Sequence, residues 1–182
     1  MISSKSDYKL YLEADKKALR ITRKRPKLFG NEIWKYEILL RKLEYYTNCK
    51  NTPLFKPYLL YLKYKFHNLG IKLNFEIPLN VCGPGLWLTH IGPIVIHAKR
   101  IGANCKIHIC VNIGKKDDIP TIGNNVYIGP GAKIFGGIEI ADGIAIGANA
   151  VVNKSFLEPN ISIAGVPAKK VSNKGSRELL MP

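Results

Sequence analysis

The chain has 182 residues, 46% of them hydrophobic and 23% charged. That composition excludes a disordered polypeptide and leaves room for one compact domain with an appendage. The formal net charge is +15, and no apolar run reaches the length of a membrane span.

The charge is uneven. Residues 1–75 hold 17 Lys/Arg against 6 Asp/Glu, so +11 of the charge falls there. Such a block attracts nucleic acid, an anionic membrane surface or a phosphate-bearing substrate, or it is a set of solvated helix faces. The N-terminus, MISSKSDYKLYLEADKK, has no apolar signal core and mixes acids with bases. The expected location is therefore the cytoplasm, with contact at the inner membrane face as an option. Cys49, Cys82, Cys105 and Cys110 form no CxxC pair and read as reduced thiols.

In chain order, three helices come first. DYKLYLEADKKALRI (7–21) has apolar residues at Tyr8, Leu12 and Leu19 and no Gly or Pro. NEIWKYEILLRKLEYY (31–46) carries Trp34, Ile38 and Tyr45 at helical spacing. PYLLYLKYKFHNLG (57–70) opens on proline and closes on Gly70, as start and stop rules ask. RKRPKLFG and NCKNTPLFKP separate them. Residues 1–74 are thus expected to form a basic helical cap over the N-terminal end of the remaining chain.

A repeat occupies most of that remainder. A six-residue frame falls on Ile101, Ile107, Ile113, Ile122, Ile128, Ile134, Ile140, Ile146 and Val152. Five of the nine next residues are glycine: Gly102, Gly114, Gly123, Gly129 and Gly147. Four places after the frame residue stand small or aliphatic side chains such as Val126, Ala132, Ile138, Ile144 and Ala150. β-Branched residues and glycine at this spacing exclude a helix and fit short strands joined by tight corners. In Val126-Tyr127-Ile128 the outer two residues face one way and the tyrosine the other. Asn124, Asn125 and Asn149 suit the corners. The fold class is a mainly β, hexapeptide-repeat parallel β-helix, three hexads to a turn, with about three turns from Ile101 onward. Ile113 to Ile122 spans nine residues, so KKDDIPT should bulge out as a loop. The expected divisions are 1–74, 75–171 and a tail, 172–182.

The run EIPLNVCGPGLWLTHIGPIVI (76–96), the hexads and AGVPAKKV (164–171) together resemble the serine acetyltransferase branch of the hexapeptide-repeat acyltransferases. Within that branch the likeness is closest to the short O-acetyltransferases of surface-polysaccharide gene clusters. The resemblance implies a left-handed β-helix, a homotrimer and acetyl-CoA as donor, with no metal. It places the catalytic base on His90. An imidazole suits that task, because it titrates near neutrality and a hydroxyl attacks well only as its proton leaves. A carboxylate that holds the ring matches Glu76 in Glu76-Ile77-Pro78.

Two positions depart from the family. Thr89 stands where the serine enzymes place an acid, and Asp118-Ile119 stands where they place an Arg-His pair; Thr89 and Asp118 are the expected substrate contacts. A small zwitterion needs a partner for each of its charges. The expected acceptor is therefore a carbohydrate hydroxyl in surface polysaccharide biosynthesis, with serine O-acetylation as the alternative. Acetyl-CoA is expected along Gly129, Gly131, Ala132 and Lys133 and along Ala164 and Gly165, with Lys169 or Lys170 at its phosphates. Two other classes are weighed. A β-helix zinc enzyme would use three histidines, yet the gaps from His90 to His97 and His97 to His108 are 7 and 11 residues, without a His-x4-His pair. A nucleic-acid binder has no motif to support it, so none is expected as partner.

Overall fold

In the computed structural model, which describes residues 1–180, three helices precede a five-turn parallel solenoid. The helices are α1 (Lys5–Ala18), α2 (Glu32–Cys49) and α3 (Lys56–Leu73). Ser4 starts α1, its hydroxyl accepting from the Asp7 amide at 3.0 Å, with Asp7 in the first turn and Lys16 and Lys17 in the last. Gly70 does not end α3, as its sequence position predicts. It lies inside the helix, where a Cβ would stand 2.9 Å from the Phe75 carbonyl oxygen, so glycine serves close packing there. Asn74, at φ 59°, makes the left-handed C-cap instead.

The strands fall on three faces. Sheet A stacks β1 (Phe75–Glu76), β3 (Ile94–Ile96), β6 (Val111–Gly114), β9 (Lys133–Phe135) and β12 (Val151–Val152). Sheet B holds β4 (Arg100–Ile101), β7 (Thr121–Ile122) and β10 (Glu139–Ile140). Sheet C holds β2 (Trp87–Leu88), β5 (Lys106–Ile107), β8 (Tyr127–Ile128), β11 (Ala145–Ile146) and β13 (Ser162–Ala164). A last strand, β14 (Lys169–Ser172), turns back antiparallel on β13. Every other pairing is parallel and in register, as Leu88, Ile107, Ile128, Ile146 and Ile163 show by stacking in one column. All nine frame residues are buried, with at most 1% exposure. Each buried aliphatic side chain contributes about 1.5–3 kcal/mol, which is why the ladder carries the fold.

The glycine beside the isoleucine has a specific cause. A Cβ on Gly102 would sit 2.5 Å from the backbone of Gly123 in the coil beneath, so the coils stack only where that atom is missing. Asn125 (φ 54°) and Asn149 (φ 56°) take left-handed corners as expected. Asn124 does not; its amide oxygen accepts from the Ala103 amide at 2.9 Å and its NH2 reaches Asp142. KKDDIPT does loop out between β6 and β7.

The helices close the open end of the solenoid with charge. The expected apolar stripes at Tyr8, Leu12 and Leu19 and at Trp34, Ile38 and Tyr45 are only partly the buried ones. The buried faces are Tyr11 and Asp15 on α1, and Trp34, Tyr36, Glu37, Leu40, Arg41, Leu43 and Glu44 on α2. The first coil has no strand above it, so its backbone groups need partners. Asp15 accepts from the amides of Gly85 (2.8 Å) and Leu86 (2.9 Å), Glu44 from that of Asn80 (2.8 Å), and Glu37 from that of Leu88 (3.3 Å). Arg41 donates to the carbonyls of Cys82 (2.8 Å) and Gly83 (2.7 Å), and to Asp15 and Glu44.

Glu37 is fully buried, and its second oxygen has no hydrogen-bond partner among the described residues. Burial, then the Asp15 charge, pushes its carboxyl well above the ordinary range. The native state therefore holds this proton more tightly than the unfolded chain. Its contribution is full below the unfolded carboxylate pKa and is lost as pH rises toward the folded value. Glu37→Gln should flatten that decline, so the variant gains on the wild type between about pH 5 and 8. Thermal melts at both pH values check this; parallel pH slopes would show that Glu37 does not titrate there.

Candidate active site

The corner from sheet C to sheet A changes length once. Between β2 and β3 it uses five residues, 89–93, whereas the corners beneath use three each, 108–110, 129–131 and 147–149. The two extra residues lift His90 out of the stack, and its side chain is exposed. Directly below it lies His108. The ring centroids are 6.1 Å apart, with planes at 53°. His108 stands edge-on to Tyr127 at 5.2 Å, and its Nε2 is buried with no hydrogen-bond partner among the described residues. Burial first, then Lys106 and His90, lowers its pKa, so His108 is neutral at physiological pH. Lys106 itself lies over the Trp87 ring at 4.0 Å and donates to the Leu179 carbonyl at 3.1 Å.

Sequence reasoning weighed His108 only as a zinc ligand and missed this pairing. The available signal was its spacing of 18 residues from His90, one full coil of three hexads. His97 stands beyond β3 at the far edge of sheet A. Among the described residues no group of three His, Cys, Asp or Glu is placed to hold a metal ion.

Glu76 is the second residue of β1, exposed and opposite Val95. It heads an outward column that continues through Asn112, Lys133 and Val151. No hydrogen bond or ion pair among the described residues joins it to His90. The Thr89 amide bonds the Ile107 carbonyl at 3.2 Å, and its hydroxyl leans on the same oxygen at 3.4 Å. Asp118 lies in the 115–120 loop, where its carboxylate accepts from the Ile119 amide at 2.8 Å. That loop joins sheet A to sheet B, whereas His90 sits where sheet C meets sheet A. Within one chain the two therefore flank opposite edges of one face.

The expected cofactor residues mostly gather below His90. Gly129 and Gly131 form the same corner two coils further on, Gly147 follows, and Ala164 and Gly165 complete the column. Lys133 reaches into the corner, its Nζ donating to the Cys110 carbonyl at 2.7 Å. Ala132 differs: it is fully buried, a core plug, with its amide and carbonyl both bonded to backbone. Lys169 is exposed on β14, and Lys170 pairs with Glu158 at 2.6 Å. A separate groove of about 840 Å³ lies at the other edge of sheet C, between Lys17, Trp87, Asn125 and Arg177. His90 does not line it.

No protein-family model matches the chain. Among curated proteins it is similar to the serine acetyltransferase of Buchnera aphidicola (subsp. Schizaphis graminum), with 38% identity over 109 residues, 53% of this chain and 41% of that one. The chain spans about half the length, or less, of the curated relatives it matches. The serine acetyltransferase of Brucella abortus, solved with coenzyme A, shares the fold, with a TM-score of 0.68, 23% identity and coverage of 94% of this chain and 70% of that one. The serine acetyltransferase of Neisseria gonorrhoeae, solved with serine, superposes with a TM-score of 0.61 at 26% identity over 93% of this chain and 71% of that one. The fold expectation, a hexapeptide-repeat β-helix behind N-terminal helices, is met.

Proposed function

We propose that this chain is an acetyl-CoA-dependent O-acetyltransferase of the serine acetyltransferase type, with His90 as its general base and L-serine as its acceptor. The observation that carries this reading is His90 raised on a two-residue bulge above His108 and a column of small corner residues that starts at Gly129. The column from His90 to Ala164 runs over four coil spacings, about 19 Å at roughly 4.8 Å each, and offers backbone to an extended, amide-rich arm. A fold relative was solved with coenzyme A and another with serine, which supports both donor and acceptor.

In this mechanism His90 takes the proton of the serine hydroxyl as its oxygen attacks the thioester carbonyl. A backbone amide of the corner stabilises the oxyanion. The carbon–sulfur bond then breaks, the acetyl group stays on the serine oxygen, and the proton passes from His90 to the leaving thiolate. His108, neutral beneath it, adds no competing positive charge. Glu76 remains the proposed carboxylate partner, because its strand pairs with the one that His90's corner feeds. The expected sugar acceptor is not supported by the relatives, whose names favour serine. Thr89 still offers no carboxylate to serine's ammonium, so affinity for serine is where this chain should be weak.

A homotrimer belongs to the same proposal. His90 and Asp118 lie at opposite edges of sheet A, and a neighbouring solenoid is what would bring such edges together, with acetyl-CoA in the groove between copies. Thiol release from acetyl-CoA tests the reading. L-Serine should stimulate release, and neutral hexoses should not. Stimulation by sugars alone would return the acceptor to a carbohydrate; stimulation by neither would remove the acyltransferase reading.

A further inference from the structure

Helix α3 presents a face that nothing in the chain covers. One side of it is buried through Leu59, Leu62, Gly70 and Leu73. On the opposite side Leu60 is 70% exposed, Tyr64 66% and Ile71 63%, with Tyr61 at 50% beside them. At about 100° per residue, Leu60, Tyr64 and Ile71 fall within roughly 40° of one another. The same geometry sets Lys56 and Lys63 along one flank of this stripe and Lys65 and Lys72 along the other, all four exposed. Leu54, just ahead of the helix, is also 82% exposed. No Asp or Glu occurs between Glu44 and Glu76, a stretch that holds five lysines. Glu32 feels the Lys72 charge but is bonded to Lys35 at 3.2 Å.

We propose that this face of α3 docks on an anionic lipid membrane and holds the protein at its surface. An apolar, tyrosine-bearing stripe bordered on both sides by lysines matches the layering of a bilayer interface. The apolar side chains enter the headgroup boundary while the lysine stems lie along it and place their ammonium groups at the lipid phosphates. Charge complementarity selects this occupant. A second copy of the chain would bring the same uncompensated lysines against these, and nucleic acid would leave the leucine and isoleucine without an apolar partner. No helix among the described residues is long and apolar enough to cross a membrane, so the contact lies in the interface plane. The inference stands apart from the acyltransferase reading, since none of these residues is in the His90 corner.

Sedimentation with lipid vesicles tests it on the full chain. Vesicles of phosphatidylglycerol and phosphatidylcholine should bind the protein at least tenfold more tightly than pure phosphatidylcholine, and about 0.5 M salt should abolish most of that preference. Leu60→Glu/Tyr64→Glu/Ile71→Glu should weaken binding by tenfold or more. Lys63→Gln/Lys65→Gln, which keeps the apolar stripe and threatens folding less, should weaken it several-fold. Both variants should keep the wild-type rate of thiol release and the wild-type melt. Equal binding to both kinds of vesicle overturns the proposal. So does undiminished binding by the lysine variant. An oligomer that the triple variant dissociates without loss of vesicle binding would assign the face to a second copy, and a lysine-dependent polynucleotide complex without vesicle binding would assign it to nucleic acid.

Discussion

His90→Ala should lower serine-stimulated thiol release by about 10²–10⁴-fold while the protein keeps its fold, because loss of a positioned general base costs that much and the exposed ring supports no core packing. The loss should fall on kcat, since proton removal belongs to the transition state and not to ground-state binding. His108→Phe keeps an aromatic ring beside Tyr127 and removes both ring nitrogens. It should cost less than His90→Ala, because His108 takes no proton in the proposed transfer. Glu76→Gln should lower the rate by a smaller factor than His90→Ala, as expected of a group that positions the base. Steady-state kinetics on the three variants separates these roles. Near-normal turnover in His90→Ala would mean that the base lies elsewhere.

The repeat was legible because a solenoid writes its geometry into the sequence. Each coil is three hexads, so the inward isoleucines recur at a fixed step, and the nine-residue gap from Ile113 to Ile122 marks the one loop that leaves the frame. His90 is singled out by its flanking motif, and its stacking above His108 only by the 18-residue coil spacing. Burial of polar groups accounts for the features that the sequence concealed. Hydrophobic periodicity assigns the faces of α1 and α2 by their apolar residues, yet α1 and α2 bury Asp15, Glu37, Arg41 and Glu44. Those side chains look solvent-facing until the unpaired backbone of the first coil is in view. Gly70 misled for a related reason. A glycine near a helix end reads as a cap, while here the missing Cβ admits the Phe75 carbonyl. One chain sets His90, Glu76 and Asp118 on different parts of sheet A, and among the described residues neither carboxylate is bonded to His90.

Arg41 is where the cap and the solenoid depend on each other most. Its guanidinium is fully buried and makes five hydrogen bonds, to both oxygens of Asp15, to Glu44 and to the carbonyls of Cys82 and Gly83, which uses all five of its N–H donors. Its ring of partners includes two buried carboxylates that themselves hold the amides of Asn80, Gly85 and Leu86. Arg41→Met fills much of the same volume but leaves two carboxylates and two carbonyls without their cation in a dry interface. Removing one partner from a buried ion pair costs about 3–5 kcal/mol, and in a chain of this size that is a fall in Tm of about 6–20 °C. Arg41→Lys should also be costly, because an ammonium has three donors and no planar fork. The two together separate charge from geometry: if Lys restores most of the Tm lost in Met, the cation is what the interface needs; if it does not, the five-way fork is. Thermal and urea unfolding of the three proteins decide the matter. A loss below about 1 kcal/mol in Arg41→Met would show that water replaces the guanidinium and that the first coil does not depend on α2 for its backbone partners.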